Sequence, residues 1–174
     1  WMAFVESRFS WAAVLETCLF MSKSNLRISS PTQEGLLTHA EDEERLQQRT
    51  AEFEHRTDIA SHAECRDVEC AFLATKRAAS LAKDHDHRLH IVHLTSQKEA
   101  EWLQKNKGDL ITTEVCTQHL TFDQDDVEIL GERVLMNPPI RYTEDRDSLW
   151  RSLKDGTIDC VVTDHAPHLS LIHI

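Results

Sequence analysis

From about residue 41 onward, segments with the hydrophobic spacing of helices alternate with short apolar segments typical of strands. The clearest helix is predicted over residues 66–84, where one apolar stripe is interrupted only by Thr75. Its apolar members are Val68, Ala71, Phe72, Ala78, Ala79 and Ala82. Residues 88–93 follow at once, and their β-branched character predicts a buried strand that ends at His93. This order of elements predicts an α/β fold around a parallel sheet.

The same alternation recurs toward the carboxyl end of the chain. Further helices are predicted over residues 97–105 and 145–153, and further strands over residues 110–115 and 158–163. Ser96 is a predicted cap for the first of these helices, and Gly156 is predicted to stop the second. The last strand ends at Asp164, so several strands are followed by residues that could bind a metal or a substrate.

In barrels of alternating strands and helices, the active site lies at the carboxyl ends of the strands. The chain has 174 residues, fewer than the roughly 250 of a complete eight-unit barrel. We therefore predict a partial TIM-type (β/α) barrel over residues 36–168. Residues 1–35 match no clear element and stay unassigned, and residues 169–174 depart from the preceding pattern.

Composition excludes some classes of protein. Hydrophobic residues make up 40% of the chain and charged residues 28%, as in folded soluble proteins. The formal net charge of −11 would repel a phosphate backbone, so nucleic-acid binding is disfavoured. The five cysteines are odd in number and form no CxxC pair, which disfavours a disulfide framework and a thiolate zinc finger.

The same features predict a cytoplasmic protein without a membrane span. No run of about eighteen apolar residues occurs in the sequence. Residues 11–21 are apolar enough to resemble part of a signal peptide, but Glu16 interrupts them and no small-residue cleavage site follows. Unpaired cysteines fit a reducing compartment.

The segment from Thr163 to His168 (TDHAPH) is the sharpest candidate for chemistry. Asp164 could place a carboxylate on a metal, while the proline-stiffened turn directs His168 toward a ligand. In the alternative interpretation, Asp164 caps a helix and the two histidines of the segment are exposed turn residues.

His39 and His93 each close an apolar segment, so in a barrel both could point into one mouth together with Asp164. Two imidazoles and a carboxylate are good zinc ligands and leave positions open for water. Each histidine alone could equally be a core residue with its hydrogen bonds satisfied.

Residues 137–141 (NPPIR) must form a rigid loop, because two prolines remove backbone donors and fix φ. The amide of Asn137 suits recognition of an amide or ureide edge, and Arg141 suits a carboxylate. The alternative is a structural turn with a surface arginine.

Five motifs in this order resemble the dihydroorotase branch of the cyclic amidohydrolases. They are HAED at residues 39–42, HIVHLT at 90–95, EVCTQHL at 114–120, NPPIR at 137–141 and TDHAPH at 163–168. Their order and spacing agree over roughly residues 36–168. The resemblance implies a barrel of the metal-dependent hydrolase kind, with one or two zinc ions, that opens or closes the dihydroorotate ring in pyrimidine biosynthesis.

The resemblance also implies roles for individual residues. His39 and His93 would be zinc ligands, and Asp164 would be a ligand that also accepts and donates the catalytic proton. Asn137 and His168 would contact the small-molecule substrate. Arg141 would stabilise its loop, and His119 would give further support to the site.

Two departures from the family pattern concern the expected metal ligands. The family's His-x-His motif is absent, and Cys18 stands where the family has a bridging lysine. We therefore expect this chain to be an incomplete, inactive fragment of the enzyme. Alternatives are an allantoinase or dihydropyrimidinase relative, a non-catalytic scaffold, or a His-rich metal-binding module. Homo-oligomers and complexes with other pyrimidine-pathway enzymes are also open.

Overall fold

The computed structural model describes residues 36–164. The predictions for residues 1–35, for His168 and for residues 169–174 lie outside the described residues. Between these limits the chain forms one parallel sheet with helices packed against it. No helix within residues 36–164 is long and apolar enough to cross a bilayer.

The sheet has four strands in the order in which they occur in the chain. They are β1 (Leu36–Thr38), β2 (Leu89–Ile91), β3 (Ile111–Cys116) and β4 (Cys160–Val162). Each strand pairs in parallel with the next, so all four carboxyl ends lie at the same edge. Within the described residues β1 and β4 are edge strands, and the sheet is not closed into a barrel. The predicted partial TIM-type barrel is thus confirmed as an open parallel arc.

Seven α-helices within residues 36–164 connect these strands. They are α1 (Glu43–Phe53), α2 (Ala60–Cys65), α3 (Val68–Asp84), α4 (Gln97–Asn106), α5 (Thr117–Thr121), α6 (Gln124–Leu130) and α7 (Thr143–Lys154). A 3₁₀ helix spans Gly131–Val134. The sequence predicted α3, α4 and α7 within two residues at each end, but it did not resolve α1, α2, α5 and α6.

Polar caps explain where the predicted helices begin. The Asp67 side chain accepts a hydrogen bond from the backbone N–H of Cys70 at the start of α3. At α4, Ser96 and Glu99 form a reciprocal capping box, which satisfies two backbone donors that the helix cannot pair itself. Gly156 adopts a φ of 81°, which terminates the segment after α7 at little steric cost.

The hydrophobic core lies between the sheet and its helices. Leu89, Ile91 and Ile111 from the strands pack with Leu103 of α4 and Leu149 of α7, and all five are at most 3% exposed. Alternate strand residues point to opposite faces, so the residues between these core positions point away from this helical layer. The core therefore fixes which strand residues face the helices.

The sequence pattern indicated that Thr75 interrupts the buried face of α3, but in the structure Thr75 is part of that face. Its side chain is fully buried, and its hydroxyl donates to the Glu99 carboxylate at 2.7 Å. A polar residue belongs on this face because α4 supplies a buried acceptor, which hydropathy alone does not reveal.

Candidate functional site

His39 and His93 lie next to each other at the carboxyl edge of the sheet. His39 directly follows β1, and His93 lies two residues after β2. The backbone N–H of Val92 donates to the carbonyl of Thr38 at 3.1 Å and holds the two strand ends together. The imidazole rings meet edge to face, with centroids 4.4 Å apart. Two residues separated by more than fifty positions are thus brought into contact.

His93 is buried and has a left-handed backbone conformation, with φ at 39°. Burial, followed by the nearby His39, lowers the pKa of His93 to about 3. The ring is therefore neutral near pH 7, the state in which imidazole binds a metal. The His39 side chain is more accessible, with 44% of its surface exposed.

Asp164 lies two residues beyond β4 at the same edge of the sheet. It too has a left-handed backbone, with φ at 48°, and it is exposed. Burial and then the charge of Asp164 raise the pKa of the Cys116 thiol to about 12. Within residues 36–164, one group of three potential metal ligands has ligand atoms that all lie within 4.8 Å of one another. Asp164 does not belong to that group. The structure thus joins the two histidines and places Asp164 along the edge, outside such a cluster.

Glu41 lies beside His39, although the sequence analysis gave it no role. Its carboxylate is 3.8 Å from the His39 Nε2 and forms an ion pair with Arg66. The side chain of Glu41 is only 6% exposed. At 3.8 Å this contact is longer than a hydrogen bond, so the buried carboxylate lies near the imidazole without fixing its orientation.

Arg141 is buried beneath the loops of the site. Its guanidinium donates to the backbone carbonyls of Arg66 and Ala63 and, through Nε, to the Thr95 hydroxyl at 3.3 Å. These contacts connect the NPPIR loop with the end of α2 and with the loop after β2. These bonds agree with the predicted stabilising role, and Nη2 of Arg141 is buried without a hydrogen-bond partner within residues 36–164.

His119 and Asn137 meet at the NPPIR loop. The Nε2 of His119 donates to the carbonyl of Pro138 at 3.0 Å, since a carbonyl can only accept. Burial lowers the pKa of His119 to about 4, so the neutral ring carries its proton on Nε2. Nδ1 of His119 and Oδ1 of Asn137 are buried and find no hydrogen-bond partner within residues 36–164. Both are acceptors that a bound donor could satisfy.

Glu99 was missed as a residue that organises the site. It is fully buried in α4 and accepts hydrogen bonds from Thr75 and Ser96, at 2.7 Å from each hydroxyl. Burial raises its pKa, which the nearby charge of Arg141 opposes. The Ser-x-x-Glu spacing at residues 96–99 is a readable capping signal, and it could have identified Glu99 from the sequence.

The histidine pair fits a zinc ion. Zinc binds neutral imidazole nitrogens readily, and His93 is held neutral by its surroundings. The accessible His39 side chain leaves one side of the pair open to a ligand. Asp164 at the same edge could add an oxygen ligand, which would give the mixed donor set of an open zinc site.

Comparison with known proteins agrees with the motifs. The chain is 40% identical over 95 residues to a dihydroorotase of Elusimicrobium minutum, which covers 53% of this chain and 22% of that protein. It is 38% identical over 101 residues to a dihydroorotase of Staphylococcus aureus, with 57% and 24% covered. The chain resembles part of dihydroorotase. It spans about a quarter of the length of these relatives, and no family model matches it.

Solved structures place the same region in an amidohydrolase barrel. An L-hydantoinase (dihydropyrimidinase) from Arthrobacter aurescens superposes with a TM-score of 0.74 at 27% identity, covering 78% of this chain and 31% of that one. A dihydropyrimidinase from Brevibacillus agri gives 0.73 at 29% identity, with 80% and 32% covered. A dihydroorotase from Campylobacter jejuni gives 0.59 at 20% identity, with 93% and 40% covered, and supports the fold alone. The described arc is therefore similar to dihydroorotase in sequence, and its fold is similar to part of the barrel of these hydantoinase and dihydropyrimidinase structures.

Proposed function

We propose that this chain carries part of a zinc-dependent cyclic amidohydrolase that interconverts dihydroorotate and N-carbamoyl-aspartate in pyrimidine biosynthesis. The observation that carries the proposal is the contact between His39 and the neutral, buried His93 at the carboxyl edge of a parallel sheet. These two residues and Asp164 would hold zinc. The ion would polarise the ring carbonyl and activate water for attack.

Asp164 serves as the group that moves the proton. It accepts a proton from the attacking water and delivers it to the ring nitrogen as the carbon–nitrogen bond breaks, so one carboxylate serves both half-steps. Its exposure at the end of β4 leaves it accessible to a substrate. In the reverse direction, the same carboxylate removes the proton from the attacking nitrogen.

Other residues position the substrate. Asn137 and His168 contact the cyclic amide; the buried, unpaired Oδ1 of Asn137 supports its share of this role. Arg141 holds the loop that carries Asn137, through its bonds to backbone carbonyls. His119 supports the same loop through Pro138.

We also propose a cytoplasmic setting and a small-molecule substrate. Enzymes of one pathway can associate, so a homo-oligomer or a complex with other pyrimidine-pathway enzymes belongs to the same proposal. The net charge of −11 supports the absence of a nucleic-acid partner.

A second candidate is hydrolysis of a dihydropyrimidine or hydantoin ring. It is favoured by the structural similarity to an L-hydantoinase and a dihydropyrimidinase at 27% and 29% identity. Asn137, before the double proline, favours dihydroorotate instead. Parallel assays with dihydroorotate, dihydrouracil and hydantoin distinguish the two candidates, because only dihydroorotate carries a carboxylate on the ring and only hydantoin has a five-membered ring.

The decisive experiment measures zinc by mass spectrometry in the purified chain and in the double variant His93→Ala, Asp164→Asn. The variant is expected to lose the zinc of the histidine site. His55→Ala is the matched control, because His55 is exposed and outside the site. Unchanged zinc content in the double variant would contradict the proposed metal centre.

The same preparations test the activity. We expect no hydrolysis by the chain alone, and ring opening of dihydroorotate once the family's His-x-His segment is supplied on the same polypeptide. Zinc binding without any hydrolysis in that longer protein would instead favour a non-catalytic scaffold.

A further inference from the structure

Three side chains with metal-binding atoms stand side by side on neighbouring strands, within the strands and not in the loops that follow them. They are His90 of β2, Glu114 of β3 and Cys160 of β4. In the sheet register, Glu114 lies opposite Cys160, and His90 lies opposite Thr112, two residues before Glu114. Parallel strands are about 4.8 Å apart, so this register places all three on one face within a few ångströms.

The face that carries these residues is the one opposite the helices. The neighbours of His90 along β2, Leu89 and Ile91, belong to the hydrophobic core beneath the helices. Side chains alternate along a strand, so His90 points the other way. Consistent with this, His90 and Glu114 are only partly buried and Cys160 is exposed. The cluster is therefore reachable from solvent in the described part of the chain.

The distances suit a metal ion. The Nε2 of His90 is 2.9 Å from the Glu114 Oε2, and one ligand atom from each of the three residues lies within 4.8 Å of the others. Zinc–ligand bonds of 2.0–2.3 Å in tetrahedral geometry place ligand atoms about 3.3–3.8 Å apart. Small side-chain rotations would bring all three atoms to that spacing.

We propose that His90, Glu114 and Cys160 form a second zinc site, separate from the candidate site at the ends of the strands. The donors are one nitrogen, one oxygen and one sulfur, a set that suits zinc or cobalt better than magnesium or calcium. A carboxylate and a thiolate balance the two positive charges of the ion. Three protein ligands leave a fourth position for water.

A hydrogen bond behind His90 supports this site. The other ring nitrogen, Nδ1, lies 2.7 Å from the hydroxyl of Thr112. Metal-bound histidines typically use their second nitrogen in this way, which fixes the ring and the tautomer. Because a hydroxyl both donates and accepts, Thr112 can pair with either tautomer of His90. In one tautomer Nε2–H bonds to Glu114 and Nδ1 accepts from Thr112. In the other, Nε2 is free to bind a metal and Nδ1–H donates to Thr112.

Binding has a defined proton balance. Burial and the charges of Glu114 and Asp159 raise the pKa of Cys160, so the free site holds a thiol. The one proton released per zinc therefore comes from Cys160 and passes to solvent.

The bound ion would connect three adjacent strands. β4 is an edge strand of the described sheet, and Val161 within it is 44% exposed. A ligand that binds only the folded state stabilises it by mass action, so zinc should raise the melting temperature through this site. The site is then a structural clip, whether or not the proposed hydrolase centre exists.

Cobalt(II) titration of the purified chain tests the proposal. Thiolate ligands give Co²⁺ a near-ultraviolet charge-transfer band that nitrogen and oxygen ligands do not give. We expect this band to appear in the unaltered chain, to saturate at one equivalent in the His93→Ala, Asp164→Asn variant, which lacks the proposed hydrolase centre, and to vanish in Cys160→Ser. Exposure of Cys160 makes the serine variant compatible with folding, which circular dichroism checks. Thr112→Val should retain the band but bind cobalt about 10–100-fold more weakly.

Two controls separate this site from the proposed hydrolase centre. His93→Ala, Asp164→Asn removes the latter and should keep the thiolate band, and Cys65→Ser removes a thiol outside the cluster and should also keep it. Zinc should raise the melting temperature of both controls, but raise that of Cys160→Ser less. A band that persists in Cys160→Ser, or its absence from the folded unaltered chain, would overturn the proposal.

Discussion

Acid should destabilise this protein through His119, because the ring is buried in its neutral form. Its side chain is 2% exposed, and burial lowers its pKa to about 4. An unfolded chain protonates the same ring at its ordinary pKa of about 6.5. Between these values the unfolded state gains a proton that the folded state does not take up. The contribution of His119 to stability is therefore complete above pH 6.5 and is lost as the pH falls toward 4.

The expected magnitude follows from that difference. Each unit of pKa shift corresponds to about 1.4 kcal/mol, so between pH 7 and pH 4.5 His119 should remove about 2–3 kcal/mol from the free energy of unfolding. His119→Gln cannot gain this proton, and its amide Nε2 can still donate to the carbonyl of Pro138. The variant should be less stable than the unaltered chain at pH 7 and should lose less stability in acid.

Urea unfolding followed by circular dichroism, at pH 7.0 and pH 4.5, measures both free energies for the two proteins. The quantity of interest is the difference between their acid-induced losses, since other groups titrate equally in both. A difference near zero would refute the buried, neutral His119 and with it the tautomer assigned to this ring. The slopes against urea must agree between variants for the comparison to hold.

Two further substitutions test the core beneath the site, each by the same unfolding measurement at pH 7. Glu99→Ala should cost about 3–5 kcal/mol, because it removes one of the carboxylates near the buried Arg141 and the acceptor of two buried hydroxyls. A loss under about 1 kcal/mol would mean that this network contributes little. Leu103→Ala should lower the free energy of unfolding by about 2–5 kcal/mol, because Leu103 is fully buried. Leu37 is 68% exposed, so Leu37→Ala should change the same free energy by no more than about 0.5 kcal/mol. Equal losses in the two variants would contradict the packing described.

The elements that the sequence predicted well are those whose signals are local. α4 begins at Gln97, as Ser96 indicated, because an N-cap acts on the backbone donors two or three residues away. α3 follows from an apolar stripe contained within its own residues. The short helix α2 carries one buried residue, Ala63, and its position depends on packing against α1 and α6, which no local pattern encodes.

The site was less predictable, because its geometry depends on register between distant segments. The predicted parallel sheet implied that His39 and His93 would lie at the same edge. It did not imply that their imidazole rings would be in contact. The burial of Arg141 could not be derived, since residues 137–141 contain nothing to distinguish a surface arginine from a buried one. Two of its three hydrogen-bond partners are backbone carbonyls, which carry no sequence signature.

The backbone at the strand ends gives a physical reason to treat His93 and Asp164 as equivalent positions. Each lies two residues after its strand, and each is a non-glycine residue in the left-handed region, at φ of 39° and 48°. Such a conformation costs roughly 1–3 kcal/mol and persists only where the surrounding structure enforces it, most often at functional sites. Glycine would relieve this strain at both positions but has no side chain with which to bind a ligand. The occurrence of a ligand-type side chain at the same strained offset on two strands supports a role for both residues in one site.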